Sequence, residues 1–160
     1  MQATYLIIHF LTALLWVLSA LALDLRFRRQ FPSASSQDRL VLIRSIRSIS
    51  GKTEMPATLI LLVLGAILLM KNPMWFKVGI MHGKLTLAIV AIGLLHASRG
   101  VMKKMVAALE AGDSVERLAK KYRIMRTVVF VILLVIAAQI LGYKASHGEP
   151  NSLHIIFGWS

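Results

Sequence analysis

Four long apolar runs, separated by strongly basic stretches, constrain this chain more than any other feature. They are Ala3–Leu23, Thr53–Met70, Val78–Ser98 and Thr127–Tyr143. A bilayer core takes roughly 20 mostly apolar residues per helix. The first, third and fourth runs reach that length or come close. The second has a shorter apolar core, Ala57–Met70, and draws on its flanks. In lipid every backbone polar group must be paired within its own segment, which makes helix the expected state for such runs. The expected fold is an all-α integral membrane protein, a four-transmembrane-helix bundle in a single domain. Composition agrees. Hydrophobic residues make up 57% of the 160-residue chain and charged ones 16%, and the mean hydropathy is +0.70. Soluble domains are nearer a quarter charged.

The cations set the expected orientation. Segment 24–52 carries seven Lys and Arg and segment 99–126 carries eight, 15 of the 19 in the chain. The positive-inside rule places both segments in the cytoplasm and both termini outside, in the inner membrane of a bacterium. The net charge of +12 then reflects topology and lipid headgroups rather than nucleic acid, because the cations flank the spans. The first run has no basic residue before it and no small-residue cleavage pattern after it, so it reads as a retained helix. With no Cys, disulfides, thiolate metal sites and thiol nucleophiles are excluded.

The basic segments have patterns of their own. Leu42, Ile46 and Ile49 recur at i, i+4, i+7 in 37–49, which predicts an interfacial amphipathic helix. Pro32 with Ser33, Ser35 and Ser36 marks a turn before it. Gly112 predicts a break, and Asp113 with Glu116 has capping-box spacing for a helix running into the fourth span. Pro73 turns the short outer loop, and Trp75 stands where an aromatic belt residue would.

Polar groups at membrane depth are costly and mark functional sites. Here they are His9, His82, Lys84, His96 and Gln139. His9 and His82 each lie about six residues, or ~9 Å, inside the outer ends of the first and third spans. Two imidazoles at matched depth can hold a haem iron from both sides, and bundle cores are where such sites are built. The plainer alternative is that each imidazole hydrogen-bonds a neighbouring helix or reaches the headgroups. His96 follows His82 by 14 residues, on the same face and ~21 Å away. It is either a ligand to a second haem, with Met55 or Met125 as partner, or an interfacial histidine. Lys84 points about 200° away from His82. It either binds an anion such as a propionate or reaches outward. Trp16 shares the face of His9 and packs either on a porphyrin edge or in the core. Gln139 and Tyr143 line the same cavity or bond between helices. His147, His154 and Glu149 form a weak candidate copper or zinc site in the tail. No phosphate loop, nucleophile elbow, zinc-protease motif or paired-carboxylate site is present.

The stretches IIHFLTALLW, EMPATLILLVLGAILL and MWFKVGIMHGKLTLAIVAIGLLHASRGVMKKM together resemble the HemJ-type protoporphyrinogen IX oxidase family. SirB-like and CopD-like membrane proteins share similar four-helix patterns. The resemblance runs over roughly residues 4–143. It rests most on His9 with Trp16, on Pro56 opening the second span, and on His82, Lys84 and Leu85. It implies a haem b protein that oxidises protoporphyrinogen IX and passes electrons to membrane quinone. His9 would be an axial ligand, and His82 and Lys84 would belong to the same site. The chain departs from the pattern in that Trp75 lies seven residues before His82 rather than close to it, and Leu23–Phe27 matches loosely. Two other readings stand beside this one. One is a CopD-like copper-handling protein using His and Met. The other is a cofactor-free subunit or assembly partner whose helix faces bind other membrane subunits.

Overall fold

The computed structural model describes the backbone of residues 2–77 and 79–146 and the side chains of 4–74, 76–77 and 79–139. The described residues form helices joined by short turns, without strands. Helix α1 spans Gln2–Gln30, α2 Ser36–Lys52, α3 Glu54–Lys71, α4 Gly79–Glu110 and α5 Glu116–Ser146, with a 3₁₀ turn at Pro73–Lys77. Four stretches are long and apolar enough to cross a membrane, in α1, α3, α4 and α5. Their outward surface is apolar, with Phe10, Leu59, Ile89 and Leu134 all exposed. An exposed belt of this kind needs an apolar solvent, which fits a multi-pass membrane protein. The tail residues His147, Glu149 and His154, and the side chains of Trp75 and Tyr143, lie outside the described residues.

Three helices run well past their apolar runs. The first extends seven residues beyond Leu23, the third span continues from Ser98 to Glu110, and the last begins at Glu116 rather than Thr127. These extensions are held by a second core at the basic end. It joins Leu23, Phe27 and Phe31 of α1 to Leu42, Ile43 and Ile46 of α2, Val101, Met102 and Met105 of α4, and Val115, Ala119 and Tyr122 of α5. Phe27 stacks on Phe31 and tilts against Tyr122, with ring centroids 4.6 Å apart in both pairs. The amphipathic α2 therefore turns Leu42 and Ile46 onto the protein, while Ile49 is exposed. Its start is capped by Ser35, whose hydroxyl accepts from the Asp38 N–H at 3.2 Å.

Between α2 and α3 the helix is interrupted only at Thr53. Pro56 explains the break. It has no N–H to give and its ring would meet the carbonyl of Lys52 in a continuous helix. It sits instead in the first turn of α3, where a free N–H is unneeded. The Thr53 N–H still bonds Ile49 O at 2.9 Å, so α2 and α3 remain tied.

Helix α4 ends in a Schellman motif. Gly112 takes φ +78°. Its N–H bonds Leu109 O at 3.2 Å, and the Asp113 N–H bonds Ala108 O at 2.8 Å. That motif uses Asp113 to close α4, so the expected capping box does not form. The carboxylate of Glu116 instead accepts from Arg39 at 2.8 Å. Arg39 also donates to Phe31 O and Pro32 O, clamping the turn between α1 and α2.

The left-handed backbone makes Gly112→Ala costly, by about 1–2 kcal/mol. Gly100→Ala, on α4 with open space around it, should instead stabilise by ~0.5–1 kcal/mol. Thermal unfolding of the two variants in detergent measures the contrast.

Candidate functional site

Helix α1 packs mainly along α3, and α4 along α5. The two pairs meet in a core built from Trp16, Ala20, Ala57, Ala91, Leu95, Val129 and Ile132. Away from the basic end this core stops. Among the described side chains, none of residues 4–15, 65–71, 79–90 or 133–139 is fully buried. The helices at that end carry half-buried groups, and His9, Lys84 and Gln139 are among the polar ones.

His9 faces α3. A Cβ built on Gly65 would stand 3.7 Å from its Cε1, so the imidazole lies against the bare backbone of the glycine. The Nδ1 atom is buried and has no hydrogen-bond partner among the described residues. Lys84 of α4 is half-buried at the same end of the bundle. Gln139 of α5 lies over Gly83, where an added Cβ would come within 3.6 Å of Nε2, and its Oε1 is buried with no partner among the described residues. The indole of Trp16 is two turns deeper than His9 on α1. It is 4% exposed, and its N–H also has no partner among the described residues. A buried polar atom without a partner costs about 1–3 kcal/mol. The Trp16 N–H needs an acceptor and the Gln139 Oε1 a donor, so with the half-buried lysine these atoms suit a ligand that offers both, together with negative charge.

Helix periodicity divides the other expected residues. His82 and Lys84 are two positions apart and cannot share a face. Lys84 takes the interior. His82 is exposed, with Nε2 2.7 Å from Phe76 O, so it closes the 3₁₀ turn onto the start of α4. His96, on the same face as His82, is exposed as well. The imidazoles of His9 and His82 thus sit in different surroundings. Met55, proposed beside His96, packs partly buried against the central core instead. Among the described residues no three His, Asp or Glu side chains gather as a metal-binding group.

A second polar group lies where the spans meet the basic end, and sequence reasoning did not single it out. Arg126 of α5 and Glu54 of α3 form an ion pair, Nη1 to Oε1 2.8 Å, with both residues 1% exposed. Arg126 Nη2 donates to Ala20 O of α1 at 2.7 Å, so one guanidinium ties three spans. Ala20 has no exposure, and its small side chain suits this close approach. One turn on, Asp24 is 4% exposed and accepts from Arg28 at 2.5 Å. Arg28 in turn donates to Thr127 of α5 at 2.8 Å. Arg126 Nε and Asp24 Oδ1 have no partner among the described residues. Arg126 counts as a loop cation when only flanking charge is read. The signal that finds the pair is the carboxylate of Glu54 at the start of one span and a guanidinium directly before the apolar run of another.

No family model, curated protein or solved structure matches the chain.

Removing one member of a buried pair strands the other charge. Glu54→Ala should therefore destabilise by about 3–5 kcal/mol, and Glu54→Leu with Arg126→Met should recover most of that. Denaturant unfolding in detergent across the double-mutant cycle measures both.

Proposed function

We propose that this chain is a membrane haem b protein with redox activity, carrying its cofactor in the half-buried interior away from the basic end. The observation that carries the reading is the half-buried imidazole of His9, whose Nδ1 has no partner among the described residues, at the same end of the bundle as Lys84. Imidazole is a standard axial ligand. A neighbouring ammonium is the complement a propionate needs inside a membrane. Gly65 and Gly83 set bare backbone against His9 and Gln139. The residues present thus fit the group, with His9 holding the iron and Lys84 a carboxylate. His82 could join as a second ligand only by giving up its bond to Phe76 O.

Bound haem would supply one-electron transfer at a potential set by burial and polarity. The chain's own residues would do the rest. Lys84 holds anionic groups at the mouth. Trp16 closes the interior toward the central core and offers an N–H donor. Gln139 offers both a donor and an acceptor. The HemJ-type resemblance extends this to an oxidoreductase acting on a reduced tetrapyrrole, protoporphyrinogen IX, with quinone receiving the electrons. Tetrapyrrole carboxylates would suit the same lysine. Under the positive-inside rule this interior opens outward and the basic end lies in the cytoplasm, in a bacterial inner membrane.

The test is a reduced-minus-oxidised spectrum of the purified full chain, with a pyridine haemochrome count. A b-type α-band at about one haem per chain is expected. His9→Ala should abolish it, and His82→Ala should keep the haem. Haem-free protein from cells with ample haem overturns the reading and favours a copper-handling protein or a cofactor-free subunit. Orientation is checked separately. The native chain has no Cys, so Asn72→Cys should react with an impermeant maleimide from the outer side of intact cells, and Ser114→Cys only after lysis.

A further inference from the structure

A shallow, widely open cavity of about 320 Å³ lies at the basic end between α2 and α4, lined by Arg44, Arg47, Ser48, Gly51, Lys52 and Arg99. Its volume is in the range of small-ligand sites, roughly 300–1,000 Å³. Four of its six lining residues are cations. Only Arg44 is paired with a carboxylate, that of Glu110. Arg47, Lys52 and Arg99 have no acidic partner among the described residues. Arg99 is held in place by neutral groups. Its Nη1 donates to Arg47 O and to Ser50 Oγ, each at 3.2 Å. A Cβ on Gly51 would come within 3.2 Å of its Nη2, so the glycine lets the guanidinium lie against the α2 backbone. The positive charge is therefore positioned and uncompensated.

The depth of the cavity says what brings the counter-charge. Arg99 directly follows the apolar run Val78–Ser98, and Lys52 directly precedes the run that starts at Thr53. Both charges stand where hydrocarbon gives way to headgroups. Basic pockets between membrane helices at this level bind anionic headgroups. Planar guanidinium groups match phosphate oxygens in pairs, and the Ser48 hydroxyl adds a donor.

We propose that this cavity is a specific site for the phosphate headgroup of an anionic membrane lipid, clasped by Arg47, Lys52 and Arg99. The lipid pins α2 to the base of α4, from outside the haem interior and independently of it. An anionic phospholipid and a free phosphate compound offer the same chemistry, and the position of the cavity favours the lipid.

The experiment is native mass spectrometry of the full chain in detergent, titrated with phosphatidylglycerol, with phosphatidylcholine, and with phosphatidylglycerol against excess inorganic phosphate. One phosphatidylglycerol should stay bound where phosphatidylcholine is lost, and phosphate should not displace it. Arg47→Gln with Lys52→Gln should weaken retention at least about tenfold. Those side chains make no hydrogen bonds among the described residues, so the fold should survive. Gly51→Ala should weaken it as well, by pushing Arg99 aside. Lys120→Gln, an exposed cation on α5 outside the cavity, should leave retention unchanged. Equal retention of phosphatidylcholine, or equal loss in Lys120→Gln, would overturn the site in favour of diffuse charge. Displacement by inorganic phosphate would overturn the lipid assignment.

Discussion

The buried contact between Arg126 and Glu54 is the constraint on which the rest of the bundle turns. Taking a guanidinium and a carboxylate out of water costs several kcal/mol per ion unless each finds a partner in good geometry. Arg126 meets that condition by bonding Glu54 and the carbonyl of Ala20 together. This requires α1, α3 and α5 to converge at one level, with a residue as small as alanine at the crossing. The helices are packed on either side of that level. Toward the basic end the aromatic cluster of Phe27, Phe31 and Tyr122 fills the space. Toward the other end the core of Trp16, Ala57, Leu95 and Val129 does so, and then stops.

The two ends consequently offer different chemistry. The basic end resembles a small soluble core, with capped helices, a Schellman turn and a bidentate clamp at Arg39. Its cations face water and headgroups. At the opposite end the side chains are half-buried or exposed, and Leu87, Leu133 and Ile136 pack partly buried against the central core. His9, Lys84 and Gln139 are half-buried among them.

Much of this was legible in the chain. Apolar runs of membrane length have one backbone solution in lipid, so the number and type of the spans followed from sequence alone. The glycine at 112 and the proline at 56 marked breaks because their backbone limits are local. The pattern Leu42, Ile46, Ile49 located an amphipathic helix but not its partner. A helical stripe reports that a face is apolar, and it is silent on whether lipid or protein covers it. The same silence applies to the depth-matched histidines. Depth along a helix is readable at 1.5 Å per residue, whereas rotation about its axis is decided by the neighbours.

The sequence by itself determined an all-helical chain with four membrane-length spans, a strongly basic end and a few costly polar groups at depth. These follow from hydrophobicity, charge and backbone hydrogen bonding, which act locally. Only the tertiary structure decided that Lys84 and not His82 turns inward and that His9 lies against Gly65. It also decided that Arg126 is a buried partner of Glu54 rather than a flanking loop cation. Each of these is a question of which side chains meet across helices far apart in the chain but adjacent in space, like the 72 residues between Glu54 and Arg126 and the 106 between Ala20 and Arg126. No local rule reaches that far, because such contacts are chosen by how whole helix faces satisfy one another.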